Sequence, residues 1–322
     1  VEWALGAERE HTRHQLHTRF DGESGALFAQ NFYAPDFTTR VAFSWISEPT
    51  TSYTARRDHF IGRNGDLTTP AGLRDDELSG AVGAGYDPCA ALRCAITLAP
   101  GETRTIVVLL GAALSEGEAR ALIDRHGAPV AAATSIADAT AAWDERLSVI
   151  NVRTPDPEFD ALLNRWSLYQ ALSCRMWARS ALYQSGGAYG FRDQLQDSMA
   201  FVYAEPQITR AHLIRAAGRQ FVEGDVQHWW HEPSGRGVRT RFSDDLAWLP
   251  FVADHYVRVT GDAAVWEEAA PYLSMRPLAP DEPEAYDLPI DSGDTGTLYD
   301  HCVRALDRAS TTGAHGLPLM GA

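Results

Sequence analysis

Two hydrophobic periods divide the chain. Up to about residue 135, apolar and polar positions tend to alternate, as in VAFSWIS (41–47), TSYTARRDHFIG (51–62), LRCAITL (92–98) and RTIVVLLGAAL (104–114). A period of two sends successive side chains to opposite faces, so each run predicts a strand. Turn signals punctuate them at Arg63-Asn64-Gly65-Asp66, Gly85-Tyr86-Asp87-Pro88 and Ala99-Pro100-Gly101-Glu102. Short strands spaced this way predict an antiparallel β-sandwich over 1–131. SEGEARALIDRHG reads as a helix, with Ser115 three residues before Glu118 and Gly127 closing it.

From about Ala132 the period lengthens. ATSIADATAAWDERLSVI predicts a connecting helix within a linker over 132–155. Asp156 followed by Pro157 marks the next helix start, and the spacing puts Phe159, Leu162, Trp166, Tyr169 and Ala171 on one face. Further helices are predicted from Thr209 to Val222, Ser243 to Val259, Asp262 to Tyr272 and Thr295 to Ala309. Between helices lie long loops: SGGAYGFRDQLQD, GDVQHWWHEPSGRGVRTRFSDD, LPIDSGDTG and the terminal TTGAHGLPLMGA. Long loops in a compact helical domain are usually functional. Helices alternating with such loops predict a helical α/α toroid over 156–322, with the loops gathered at one end.

Composition narrows the function by exclusion. The 322 residues favour two domains. The net charge is −15 and all 28 basic residues are Arg, so nucleic acid and anionic membranes are disfavoured partners. No run of about 18 apolar residues exists to span a membrane. VEWALGAERE lacks the basic end and apolar core of a signal peptide, and no Met precedes it, so the sequence reads as an excised or incomplete piece. Four Cys without a CxxC pair predict reduced thiols and a cytoplasmic setting, with a Cys89–Cys94 bridge as the alternative. No Walker loop, GxGxxG, GxSxG or HExxH is found, against a nucleotide enzyme, a serine hydrolase or a zinc protease.

Three loops hold candidate chemistry. Arg192, Asp193, Gln196 and Asp197 follow a glycine-rich stretch. Carboxylates accept from vicinal sugar hydroxyls while Arg and Gln donate, and glycine lets backbone approach a ligand; a helix start capped by Asp193 or Asp197 is the plainer reading. Trp229 and Trp230, beside His228 and His231, offer faces for pyranose rings, or one of them is core. The two His are three apart, yet no third ligand stands at a recognisable spacing, and no metal is expected. Arg236, Arg239 and Arg241 ahead of Asp244 and Asp245 form an anion site for phosphate, or a loop paired to those Asp.

Together YGFRDQLQD, GDVQHWWHEPSGRGVRTRFSDDLAWLP, YDHCVRALD and GAHGLPLMG resemble the inverting phosphorylases of glycoside hydrolase family 94. The wording of ARSALYQSGGAYGFRDQLQDSMA, with HFIGRNGDL in the first half, is most similar to that family's cyclic β-1,2-glucan synthase branch. The resemblance implies a supersandwich-like β-domain followed by an (α/α)6 barrel. It implies phosphorolysis of a β-glucoside to α-glucose 1-phosphate, with inorganic phosphate as co-substrate, no other cofactor, and one carboxylic acid replacing the usual inverting pair. By position Arg192 and Asp193, with Asp197, resemble contacts to the glucosyl unit. Trp229, Trp230, Arg239, Arg241, Asp244 and Asp245 fall in loops similar to the family's substrate-lining loops, and Arg192, Arg239 and Arg241 are the phosphate candidates.

Two departures matter. In the family a GDWND-type motif supplying the general acid follows a segment like GLPLMG, and here GLPLMGA reaches Ala322, so no catalytic residue is expected within the chain. SGGAYG also lacks an Arg that cellobiose-type relatives carry. An incomplete toroid leaves apolar faces that invite a second copy or the rest of the barrel. Two other readings remain: a non-catalytic glucan-binding or structural module, and an inverting hydrolase using Asp193, Asp197, Asp244 or Asp245.

Overall fold

A computed structural model describes residues 1–6, 8–180 and 186–319. The predicted helix end at Ala181 and Leu182, Ser185 of SGGA, and Met320–Ala322 of the terminal segment lie outside the described residues. The chain divides into two compact units, Val1–Ala141 and Ala142–Ala322.

In the first unit, β1 (Leu16–Asp21), β2 (Ala26–Asn31), β3 (Val41–Ile46) and β6 (Val108–Ala113) form an antiparallel sheet in the order β1-β2-β3-β6. A two-stranded ribbon pairs β4 (Thr50–Arg56) with β5 (Pro88–Cys94). Alternation in ALFAQN explains why β2 is buried on both sides. Leu27 and Ala29 join Leu16, Ala42, Ala55 and Ala90 in one core, so the ribbon covers that face. Ala26 and Phe28 join Val41 and Phe43 in another, covered by Ala119 and Ile123 of α1 (Glu116–His126). A Cβ on Gly111 would stand 2.5 Å from the Phe43 ring, so a glycine is required where β6 passes that side chain.

The Ser115 cap is present, its hydroxyl accepting from the Glu118 amide at 3.2 Å. Arg120 of α1 donates to the buried Asp21 carboxylate at 2.8 and 2.9 Å, which holds Asp21 well below the usual carboxylate range. Cys89 and Cys94 stand on the same strand and are free thiols, so they do not bridge neighbouring strands. The run 51–62, read as one strand, turns helical at Arg57–Ile61.

In the second unit, α2 (Pro129–Leu147) contributes its last turn. The helical segments Pro157–Ala161, Leu162–Trp166, Ser167–Gln170 and Ala171–Trp177 run on as α3, capped by Asp156 as expected. Phe159, Leu162, Trp166 and Tyr169 are exposed, while Leu168, Leu172 and Met176 face inward onto Leu147 and Phe201. The helices α4 (Phe191–Ser198), α5 (Pro206–Ala217), α6 (Asp244–Thr260) and α7 (Leu298–Ala309) share the main core, with Leu195, Leu213, Leu249 and Leu298 fully buried. A capping box of Thr297 and Asp300 starts α7.

Several stretches read as loops or helix contain strands. Tyr189–Gly190 (β7), Gln227–Trp230 (β8), Gly237–Thr240 (β9) and Glu284–Asp287 (β11) form a sheet in the order β11-β9-β8-β7. Ala269–Ser274 (β10), inside the predicted Asp262–Tyr272 helix, pairs with Ile290–Thr297 (β12), which holds the SGDTG stretch read as loop. Only Ala263–Glu267 of that predicted helix is helical, as a 3-10 turn. Tertiary pairing overrides local pattern here, since the short apolar run AAPYLS suits either element. No helix among the described residues is long and apolar enough to cross a membrane.

Candidate functional site

The sheet and two helix starts enclose a cleft of about 580 Å³ in the second unit, lined by Gly190, Arg192, Asp193, His228, Trp229, His231, Asp244 and Asp245 among others. The YGFRDQLQD stretch is not a loop. Gly190 precedes α4, and the polar residues ride on that helix. A Cβ on Gly190 would stand 2.6 Å from the Asp193 carboxylate, so glycine lets that side chain fold back to the cleft. Phe191 and Leu195 anchor the opposite face of α4 in the core. Arg192 reaches Asp244 at 3.3 Å and lies 5.4 Å over the Trp248 ring. Asp193 lines the cleft with no hydrogen-bond or ion-pair partner among the described residues.

A β-bulge explains the opposite side. Gln227 pairs with Arg239 and Trp229 with Val238, so His228 is an extra residue in β8. A bulge breaks strict alternation and re-aims side chains. His228 and Trp229 both line the cleft, while Trp230 turns into the core. The Trp229 ring stands 5.4 Å from His231 and 5.5 Å from Tyr286.

Asp244 and Asp245 occupy the first turn of α6, where the helix end favours negative charge. Asp245 is buried and accepts from His228 Nδ1 at 2.7 Å. Burial pushes the Asp245 carboxyl up, with His228 pulling against it. Burial opposes charge on His228, but the Asp245 hydrogen bond and the nearby Asp193 and Asp244 outweigh it, so that ring is raised.

Five of the predicted substrate and phosphate residues lie elsewhere, and so does Arg236 of the expected anion site, which stands 3.7 Å from Asp287. Trp230, read as a sugar platform, is fully buried, stacks on Tyr189 at 5.2 Å and donates to Glu232 at 3.2 Å. Arg239, read as a phosphate ligand, is buried and fully engaged. It donates to Asp225 at 2.6 and 2.7 Å, to Glu223 at 3.0 Å and to the carbonyls of Met275 and Arg276. Arg241 donates to the carbonyls of Ala279 at 2.7 Å and Glu282 at 3.1 Å, so it ties down a loop. Asp197 faces Arg175 at 2.7 Å, outside the cleft lining, and burial raises its carboxyl. Gln196 is exposed on α4 and does not line the cleft. Sequence reasoning missed Phe191 and Phe242 as cleft walls, since apolar residues in a polar loop carry no signal of which way they face.

Among the described residues the cleft therefore gathers three carboxylates, one arginine already paired, two histidines and one tryptophan face. That set accepts hydroxyl hydrogens and stacks an apolar ring face, and it offers little unpaired positive charge to an anion.

The chain is 40% identical over 99% of its length to the cyclic beta-(1,2)-glucan synthase NdvB of Rhizobium meliloti (strain 1021), covering 11% of that protein. It is 28% identical to the N,N'-diacetylchitobiose phosphorylase of Vibrio furnissii, over 80% of this chain and 33% of the relative. It is 26% identical to the 3-O-beta-D-glucopyranosyl-beta-D-glucuronide phosphorylase of Paenibacillus borealis, over 94% of this chain and 38% of the relative. The chain thus spans little more than a third of these phosphorylases and about a tenth of the synthase. The supersandwich domain of glycosyl hydrolase 94 matches residues 1–129 and the catalytic domain matches 142–322, so the chain belongs to the glycosyl hydrolase 94 superfamily.

Proposed function

We propose that the cleft holds the glycosyl unit of a β-glucan, with β-1,2-glucan as the substrate, for an inverting phosphorolysis that yields α-glucose 1-phosphate. The observation that carries this is the convergence of Asp193, Asp244 and Asp245 with the Trp229 face in one cleft. A neutral, hydroxyl-rich ring suits such a surface, because carboxylates accept from vicinal hydroxyls without a charge to repel. The similarity to a β-1,2-glucan synthase supports the linkage. On this reading helices α3 to α7 belong to an (α/α)6 toroid, the chain works in the cytoplasm, and inorganic phosphate is the only co-substrate. Arg192 is the one arginine of the cleft among the described residues and the candidate to meet phosphate beside the reacting unit. No cleft carboxylate is assigned as the general acid: Asp245 is held by His228 and Asp244 by Arg192, and Asp193 is assigned here to accept from a sugar hydroxyl.

The test is to titrate the protein with β-1,2-linked gluco-oligosaccharides, then add phosphate and assay glucose 1-phosphate. Saturable binding is expected. Phosphate-dependent release, cut by orders of magnitude in Arg192→Ala, assigns the full reaction. Binding without release assigns the glycosyl-holding role alone, phosphate-independent release of glucose replaces phosphorolysis with hydrolysis, and absence of binding overturns the reading.

A further inference from the structure

The His228–Asp245 pair has a geometry with a consequence for the cleft. Asp245 is buried at the start of α6 and engages His228 through Nδ1 at 2.7 Å. The ring lines the cleft, and its Nε2 has no hydrogen-bond partner among the described residues. An ionised Asp245 fixes the proton on Nδ1, because a carboxylate can only accept. Nε2 then has two states. In the neutral ring it is an acceptor, and in the imidazolium it is a charged donor.

We infer that His228 is a proton-controlled positioning residue, whose Nε2 donates to a sugar hydroxyl when the ring is charged and loses that role when it is neutral. This rests on the reading of the cleft as a glycosyl site. The surroundings favour the charged form at the cleft. Asp245 and Asp244 on α6 and Asp193 on α4 face the ring, against Arg192, which is paired to Asp244, and His231, whose Nε2 lies 3.1 Å from the Gly186 carbonyl. Phe242 packs on the ring at 4.8 Å and brings no charge. A donor on this edge complements the three carboxylates, which can only accept. A sugar hydroxyl that donates to Asp193 can accept from Nε2 through its lone pairs. A gluco-oligosaccharide has no group that titrates between pH 5 and 9, so any pH dependence of its binding belongs to the protein.

The test joins two measurements on the 322-residue chain. The first is an NMR titration of the His228 ring without ligand, which also separates it from His231. The second is calorimetric binding of a β-1,2-linked glucotriose from pH 5.5 to 9. His228 should titrate above an ordinary histidine, and the dissociation constant should rise about tenfold through the same midpoint, the size of one lost charge-assisted hydrogen bond. His228→Gln should bind with no pH dependence. Asp245→Asn should move the midpoint below its wild-type position; if that buried variant does not fold, the more accessible His228→Gln still decides. A ring that titrates as expected while binding stays constant with pH overturns the inference and leaves the glycosyl reading intact. A wild-type slope retained in His228→Gln overturns it as well. No binding at any pH overturns both.

Discussion

Two clusters of arginine and carboxylate are built from residues 192–245, and they do opposite things. Arg239 sits among Asp225, Glu223 and two carbonyls with every donor used and almost no exposure. Arg192, Asp193, Asp244, Asp245 and His228 lie around an open cleft with capacity left over. The residue types are the same. What separates them is saturation, because a guanidinium with five satisfied donors has nothing left for a ligand. Trp229 and Trp230 repeat the contrast one residue apart, one lining the cleft and the other in the core.

Removing the saturated members should cost stability first. Trp230→Ala leaves a large cavity beside Tyr189 and should destabilise the fold by about 3–5 kcal/mol. Arg239→Ala strands Asp225 and Glu223 and should cost about 3–4 kcal/mol. Denaturant unfolding measures both, and a loss below about 1 kcal/mol in either would break the contrast.

A third buried group, His212, stacks on Tyr189 at 5.8 Å but has no hydrogen-bond partner among the described residues. Both ring nitrogens of His212 are buried without a hydrogen bond, and burial lowers its pKa from 6.5 to about 3. The unfolded ring takes up a proton that the folded one refuses, so this contribution is intact above pH 6.5 and is lost as pH falls toward 3. The slope is about 1.4 kcal/mol per pH unit, giving a loss of about 2 kcal/mol at pH 5. Unfolding curves of wild type against His212→Leu should differ in that slope, and equal slopes would contradict it.

Arg192→Ala should be the mildest for the fold. Its ion pair with Asp244 is half exposed, so the loss should stay below about 1 kcal/mol while affinity for the gluco-oligosaccharide falls. A large loss of stability would move Arg192 to the structural cluster.

Much of the architecture was legible because caps and periods act locally. Ser115 and Asp156 start the predicted helices, and the alternation of VAFSWIS gives β3. The second unit was read less well, for physical reasons. YGFRDQLQD looked like a loop because polar residues dominate it, yet Arg192 and Asp193 face the cleft while Phe191 and Leu195 hold α4 to the core. The bulge at His228 depends on pairing with β9, which no local pattern encodes. The face of α3 carrying Trp166 was legible as a stripe, yet sequence could not say that the opposite side, with Leu172 and Met176, is the packed one. Cleft membership was legible for Arg192, Asp193, His228, Trp229, Asp244 and Asp245. It failed for Trp230, Arg239, Arg241 and Asp197, because the partners that engage them are set by tertiary pairing, and for Gln196, which is exposed outside the cleft.

The most direct test of the contrast between saturated and open clusters is calorimetric binding of a β-1,2-linked gluco-oligosaccharide to wild type and Asp193→Asn. Among the described residues Asp193 has no hydrogen-bond or ion-pair partner to lose, so the melting temperature of Asp193→Asn should stay within about 2 °C of wild type while affinity falls at least about tenfold. Unchanged affinity in a well-folded Asp193→Asn would contradict the account, leaving the cleft as one more solvated surface.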